Sequence, residues 1–244
     1  MVFLIGIESI KATYRQLIVI VLLACINGAC QKKIDLRELI VDIDSHTGAT
    51  PAYDPDRVIP SHLSKNKNYR PFMIDINVMN LALYKQVTSN EEPVTGELEQ
   101  ITDDIETSGE FDFVGGPTWV QVDLEESSSI HAIVIWHHYE NADIFDDVIV
   151  CVSDDEDFSG DVRTLYNNDH DNSSGMGMGK DSAYISSLWG NIVDARGPNL
   201  TGTSARYVRV HTKRSADGTI PRYVEIAVYG HRLLDENKSG SSSH

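Results

Sequence analysis

The chain has 244 residues, 41% of them hydrophobic, which supplies one sizeable core and suits a single all-β domain. Its 37 acidic against 20 basic residues give a formal net charge of -17. That balance excludes a nucleic-acid surface, which needs clustered Lys and Arg, and is compatible with a solvated surface or with divalent-cation binding.

LIVIVLLACI, residues 17–26, is an apolar run preceded by Lys11 and Arg15. It is shorter than the ~20 residues a helix needs to span a bilayer, and it suits the apolar stretch of an export signal. VLLAC, ending at Cys25, resembles the lipobox of bacterial lipoproteins: Leu22 and Ala24 match it, and Leu23 is less usual there. NGAC, ending at Cys30, matches less well because Asn27 stands where Leu is expected. The expectation is a signal over residues 1–24 and lipidation at Cys25. The product is then exported to the cell envelope and meets the membrane only through its lipid. The alternative is cleavage near Ala29 and a soluble exported product.

Residues 25–75, rich in Pro, Asp, Ser and Lys, read as a tether with part of it laid against a domain. Residues 76–232 read as that domain, and 233–244 as a disordered polar tail. Within the domain WVQVDL (119–124) alternates, with Trp119, Gln121 and Asp123 on one side and Val120, Val122 and Leu124 on the other. IHAIVIWHH (130–138) and DVIVCVS (147–153) are apolar on both faces, and ARYVRVHT (205–212) and YVEIAVYG (223–230) alternate again. GELEQI is a short helical turn. Short strands separated by Gly, Asn, Asp and Ser predict an antiparallel sandwich or barrel. If 130–138 and 147–153 form a hairpin, VRTLYN runs back to the same end as HHYENADIF. Trp119 and Trp136 are expected in the core. Cys151, in an apolar run, is expected to be a small buried hydrophobe.

NLALYKQVTSNEE (80–92) resembles the opening of discoidin domains, also called coagulation factor 5/8 type C domains. ITDD (101–104) is similar to that family's aspartate-bearing turn, with Asp104 where Gly is usual. PTWVQVDL, ARYVRV and YVEIAVYG are similar to its Trp-bearing strand and its two closing strands. The matches run in order over residues 77–231. The resemblance implies a jelly-roll β-sandwich of the galactose-binding type that binds glycans, headgroups or proteins through loops. It also implies a structural calcium held by Asp103, Asp104 and Glu225 with carbonyls around 85–88. Six to eight oxygens of this kind suit calcium; the other reading of these acids is turn capping.

NNDHDNSSGMGMGKD, residues 167–181, is the most polar loop. Its acids do not fit an EF-hand, since the twelfth position from Asp169 is Lys180, and DDEDFSGD (154–161) fails at Tyr166. With HHYENADIF at the same end, the candidate sugar-contact residues are His138, Tyr139, Asn141, Asp169 and His170, with Trp189 as a ring platform. A transition metal on His138, Asp169 and His170 is a weaker reading, because no HExxH, CxxC or His-x-His spacing is present. A loop held by its own side-chain-to-backbone bonds is the third. No GxSxG elbow, phosphate loop or dinucleotide fingerprint points to catalysis. The function expected is a non-catalytic module at the envelope for carbohydrate or glycoconjugate. A protein-interaction or structural lipoprotein is the alternative, and a metal-dependent enzyme stands behind both.

Overall fold

The computed structural model describes residues 36–39, 72–105, 111–112, 118–137, 144–185, 190–215 and 222–233. The chain divides into two compact units, 1–36 and 37–244. Of the first only Leu36 is described, at the start of β1 (Leu36–Glu38). The second carries the remaining strands.

Strands β2 (Met73–Asp75), β3 (Met79–Asn80) and β4 (Val87–Ser89) precede a 3₁₀ helix, η1 (Leu98–Thr102). Then come β5 (Phe111–Asp112), the long β6 (Thr118–His137), β7 (Ile144–Asp146), β8 (Ile149–Ser153) and β9 (Arg163–Asn167). Strands β10 (Tyr184–Ile185) and β11 (Asn191–Asp194) lead to a second short 3₁₀ turn at Pro198–Leu200. The chain closes with β12 (Thr203–Thr212), β13 (Arg214–Ser215) and β14 (Arg222–Arg232). From β3 onward the described strands pair antiparallel. The architecture is an all-β sandwich.

β6 belongs to both layers. Residues 118–123 pair with 207–212 of β12 on one side, and 120–122 pair with β4 on the other; 128–130 pair with 203–205 of β12. β12 continues to β8, and β8 to β9. Residues 128–137 pair with β14 on one side, and 132–135 pair with β11 on the other, while β3 and β5 join β14. The strand turns over at Glu125, which takes a φ of 71° and whose N–H donates to Asp123 Oδ1 at 2.7 Å. The β12 register breaks at the same place, between Ala205 and Tyr207. Tyr223 pairs with His137 in the second layer, and its hydroxyl donates to Thr212 Oγ1 at 2.8 Å. Thr212 pairs with Thr118 in the first layer. The two ends of β6 therefore meet at one end of the sandwich.

Period-two alternation makes this possible. Val120, Val122, Val150, Val152, Val208 and Val210 face Ile133, Ile135, Ile226 and Val228 across the core. The other side of the second layer, Ala132, Val134, Trp136 and Ala227, is covered by Leu39, Phe72, Ile74 and Val78. That cover explains why residues 130–137 are apolar on both faces. Arg196 pins it, with its guanidinium 4.1 Å from the Phe72 ring centre and an ion pair to Asp194 at 2.8 Å.

Two expectations are corrected. Residues 130–137 and β8 do not form a hairpin. The first lie in the β14 layer and the second beside β12, because the chain must cross the core to cover both apolar faces of each. Trp136 is buried as expected, but Trp119 is only partly buried on the outer face. There the Arg209 guanidinium lies 4.0 Å from the Trp119 ring and 4.1 Å from Phe158.

Candidate functional site

The first candidate lies at the side edge, where the chain passes from β3 in one layer to β4 in the other. η1 fills that edge, opened by a reciprocal capping box between Glu97 and Gln100. Thr102 Oγ1 donates to the Lys85 carbonyl at 3.0 Å, and the Tyr84 N–H donates to the Thr102 carbonyl at 2.7 Å. Asp104 takes the left-handed conformation at φ 64°, the geometry for which Gly is usual and Asp is tolerated. Its N–H donates to Glu225 Oε1 at 3.3 Å. Glu225 is 0% exposed, and its Oε2 is buried with no hydrogen-bond partner among the described residues. Burial, opposed by the Asp104 N–H and reinforced by the Asp103 and Asp104 carboxylates, pushes the Glu225 carboxyl up to about 9. An orphaned carboxylate oxygen, with two further carboxylates near enough to raise its pKa, is the hard-oxygen chemistry that calcium takes.

The second candidate is the loop 167–181 at the end where the two ends of β6 meet. Asp169 is buried at its centre. Its carboxylate accepts the N–H of Ser173 and of Ser174, each at 2.9 Å, and the Ser174 hydroxyl. Burial pushes this carboxyl up, but the Ser174 hydroxyl and the two N–H groups outweigh it and hold it at about 2. Asn168 ties the loop to β7 and β8, donating to the Phe145 carbonyl at 2.9 Å and accepting from the Val148 N–H at 2.7 Å. The alternate glycines have distinct reasons. Gly177 adopts φ 102°, and a Cβ on Gly179 would lie 2.5 Å from the Asn167 carbonyl oxygen.

The carboxylates of Asp147, Asp169 and Asp171 converge within 4.8 Å. A cation already faces them: Lys213 Nζ lies 3.1 Å from Asp147 Oδ2 and 2.8 Å from Ser173 Oγ. His170 instead places Nε2 2.9 Å from the Asp181 carbonyl. The loop thus organises itself around Asp169, and His170, Asp171, Asn172 and Lys180 stand exposed on it. His138, Tyr139, Asn141 and Trp189 lie outside the described residues, as does Cys25.

His137, the neighbour of His138, points into the core. Its ring lies between Phe145 and Tyr223, at centre distances of 4.5 and 4.6 Å. Nδ1 is 2.9 Å from the Tyr184 hydroxyl and Nε2 is 3.2 Å from Thr212 Oγ1. The Tyr184 hydroxyl donates to the Ile135 carbonyl, and the Tyr223 hydroxyl donates to Thr212 Oγ1. The directions close if neutral His137 carries its proton on Nδ1 and accepts from Thr212. Burial lowers its pKa to about 3, so it is uncharged and structural. Cys151 is buried, and burial raises its thiol pKa.

Sequence reasoning missed Asp147 and Lys213. Nothing in their spacing announces them, because segments distant in sequence bring them to the loop.

No protein-family profile matches the chain, and no curated protein matches it. Solved structures similar to it include chitosan-binding module 1 of a chitosanase/glucanase from Paenibacillus sp. IK-5. The identity is 22%, the TM-score 0.44, and the match covers 62% of this chain and 99% of that one. Module 2 of the same enzyme, in complex with chitotriose, matches at 20% identity and TM-score 0.44 over 62% and 100% of the two chains. CpGH89CBM32-4, produced by Clostridium perfringens, in complex with GlcNAc-α-1,4-galactose, matches at 16% identity and TM-score 0.45 over 64% and 97%.

Proposed function

We propose that this chain is a non-catalytic carbohydrate-binding module. The observation that carries this reading is the loop 167–181. Asp169 spends both carboxylate oxygens on holding the loop's backbone, which leaves a fixed display of imidazole, carboxylate, amide and ammonium groups. Sugar hydroxyls both donate and accept, so recognition needs mixed polar groups held in place in advance. His138, Tyr139, Asn141 and Trp189 extend this display on the sequence reading. Asp103, Asp104 and Glu225, with the Lys85 carbonyl, would hold a calcium ion that neutralises the buried Glu225 and braces the crossing. Export and a lipid at Cys25 complete the proposal and place the module at the cell envelope.

One observation favours an envelope protein as partner instead. Met176 and Met178, on the same loop, are 39% and 69% exposed, and exposed methionines suit adaptable protein contacts. A glycan array probed with the purified chain, in calcium and in chelator, separates the two. Binding that weakens at least fivefold in a His170→Ala, Asp171→Ala double variant supports the carbohydrate reading. A blank array with folded protein supports the protein partner.

A further inference from the structure

We infer that Tyr84 is a saccharide-stacking platform at the side edge of the sandwich, distinct from the polar loop. This rests on the reading of the chain as a carbohydrate-binding module and adds a second contact to it. Tyr84 is 75% exposed, the most exposed of the large hydrophobic side chains among the described residues. It also holds φ at 56°, a left-handed conformation that a non-glycine residue adopts only at a cost. A glycine would make the same turn without that cost and without exposing a ring. Strain and exposure together argue that the ring is kept for what it meets outside the fold.

The ring stands on a rigid base. Leu81 and Ala82 are buried, and the Leu81 N–H donates to the Val228 carbonyl. The Lys85 N–H closes the turn on the Ala82 carbonyl at 2.9 Å, and the Tyr84 N–H is bound to the Thr102 carbonyl. Lys85 is ion-paired to Glu125. A backbone held in this way leaves only the two side-chain torsions of the tyrosine to be ordered on binding. A flat, exposed ring offers a face to the C–H surface of a pyranose, which is the apolar half of saccharide recognition. The net charge of -17 selects neutral or amino sugars over acidic ones.

The test uses the full-length chain with Tyr84→Gly and Tyr84→Phe. Glycine suits the backbone, so Tyr84→Gly is expected to keep or raise Tm. Affinity is titrated by calorimetry with a glucosamine oligosaccharide and with a galactose-containing disaccharide. The expected result is at least tenfold weaker binding by Tyr84→Gly and less than threefold change in Tyr84→Phe. Wild-type binding that Tyr84→Gly leaves unchanged overturns the platform and leaves the module reading standing. No wild-type binding to either sugar, or to any glycan on the array, overturns both.

Discussion

At the scale of single residues the molecule uses burial to set charge. His137 has neither ring nitrogen open to water, and its pKa falls to about 3 from an ordinary 6.5. Between those values the unfolded chain binds a proton that the folded chain does not. The group's contribution is therefore fully present above pH 6.5 and is lost as pH falls toward 3. Urea unfolding is expected to show a loss of ~2 kcal/mol between pH 6.5 and 5 from this residue alone. The corresponding slope should flatten in His137→Phe, compared at matched pH. An equal slope in both proteins would assign the acid lability to other groups. Asp169 runs the same way at lower pH, since its carboxyl sits near 2 and supports the loop until it is protonated.

At the scale of elements the sequence was informative wherever a strand keeps period two. WVQVDL, ARYVRVHT and YVEIAVYG lie within β6, β12 and β14, and VRTLYN becomes β9. The Asp104 N–H of the ITDD turn reaches Glu225. The partner of each strand was less legible. Residues 130–137 and 147–153 look alike as apolar runs, and only the turn at Glu125 sends the first into the opposite layer. Trp119 fell outside the core because the alternation that buries Val120 turns its neighbour outward, where Arg209 covers it. The loop's carboxylate cluster was illegible, since Asp147 and Lys213 reach Asp169 only through the fold. Ile74 lies in the stretch 25–75, read as a tether with part of it laid against the domain, and is buried over the second layer. Ile74→Ala is expected to cost about 3 kcal/mol in chemical denaturation, as a large-to-small change in a packed site does. A change below about 0.5 kcal/mol, the scale of ordinary surface substitutions, would mean the segment is only loosely held.

At the scale of the whole molecule the calcium proposed at the side edge would link stability to ligand. An ion that binds only the folded chain adds about 2.7 kcal/mol when its concentration is a hundredfold above Kd. Calcium is thus expected to raise Tm by several degrees, and chelator to reverse it. Glu225→Gln, which keeps shape and removes the charge, should abolish the response while leaving Tm in chelator little changed. A calcium response that survives in this variant would move the ion elsewhere, and identical melting of the wild type with and without chelator would remove it.

The doubling back of β6 has a consequence for how the molecule assembles. One segment is the central strand of both layers, so neither layer has an independent existence. Partners of its first half lie near residues 87–89 and 207–212, and those of its second half near 191–194, 203–205 and 223–232. Almost every pairing waits for chain far along the sequence, a topology that folds slowly and as a unit. Protection of backbone amides from exchange should accordingly rise and fall together across the two layers, with no half-sandwich surviving alone.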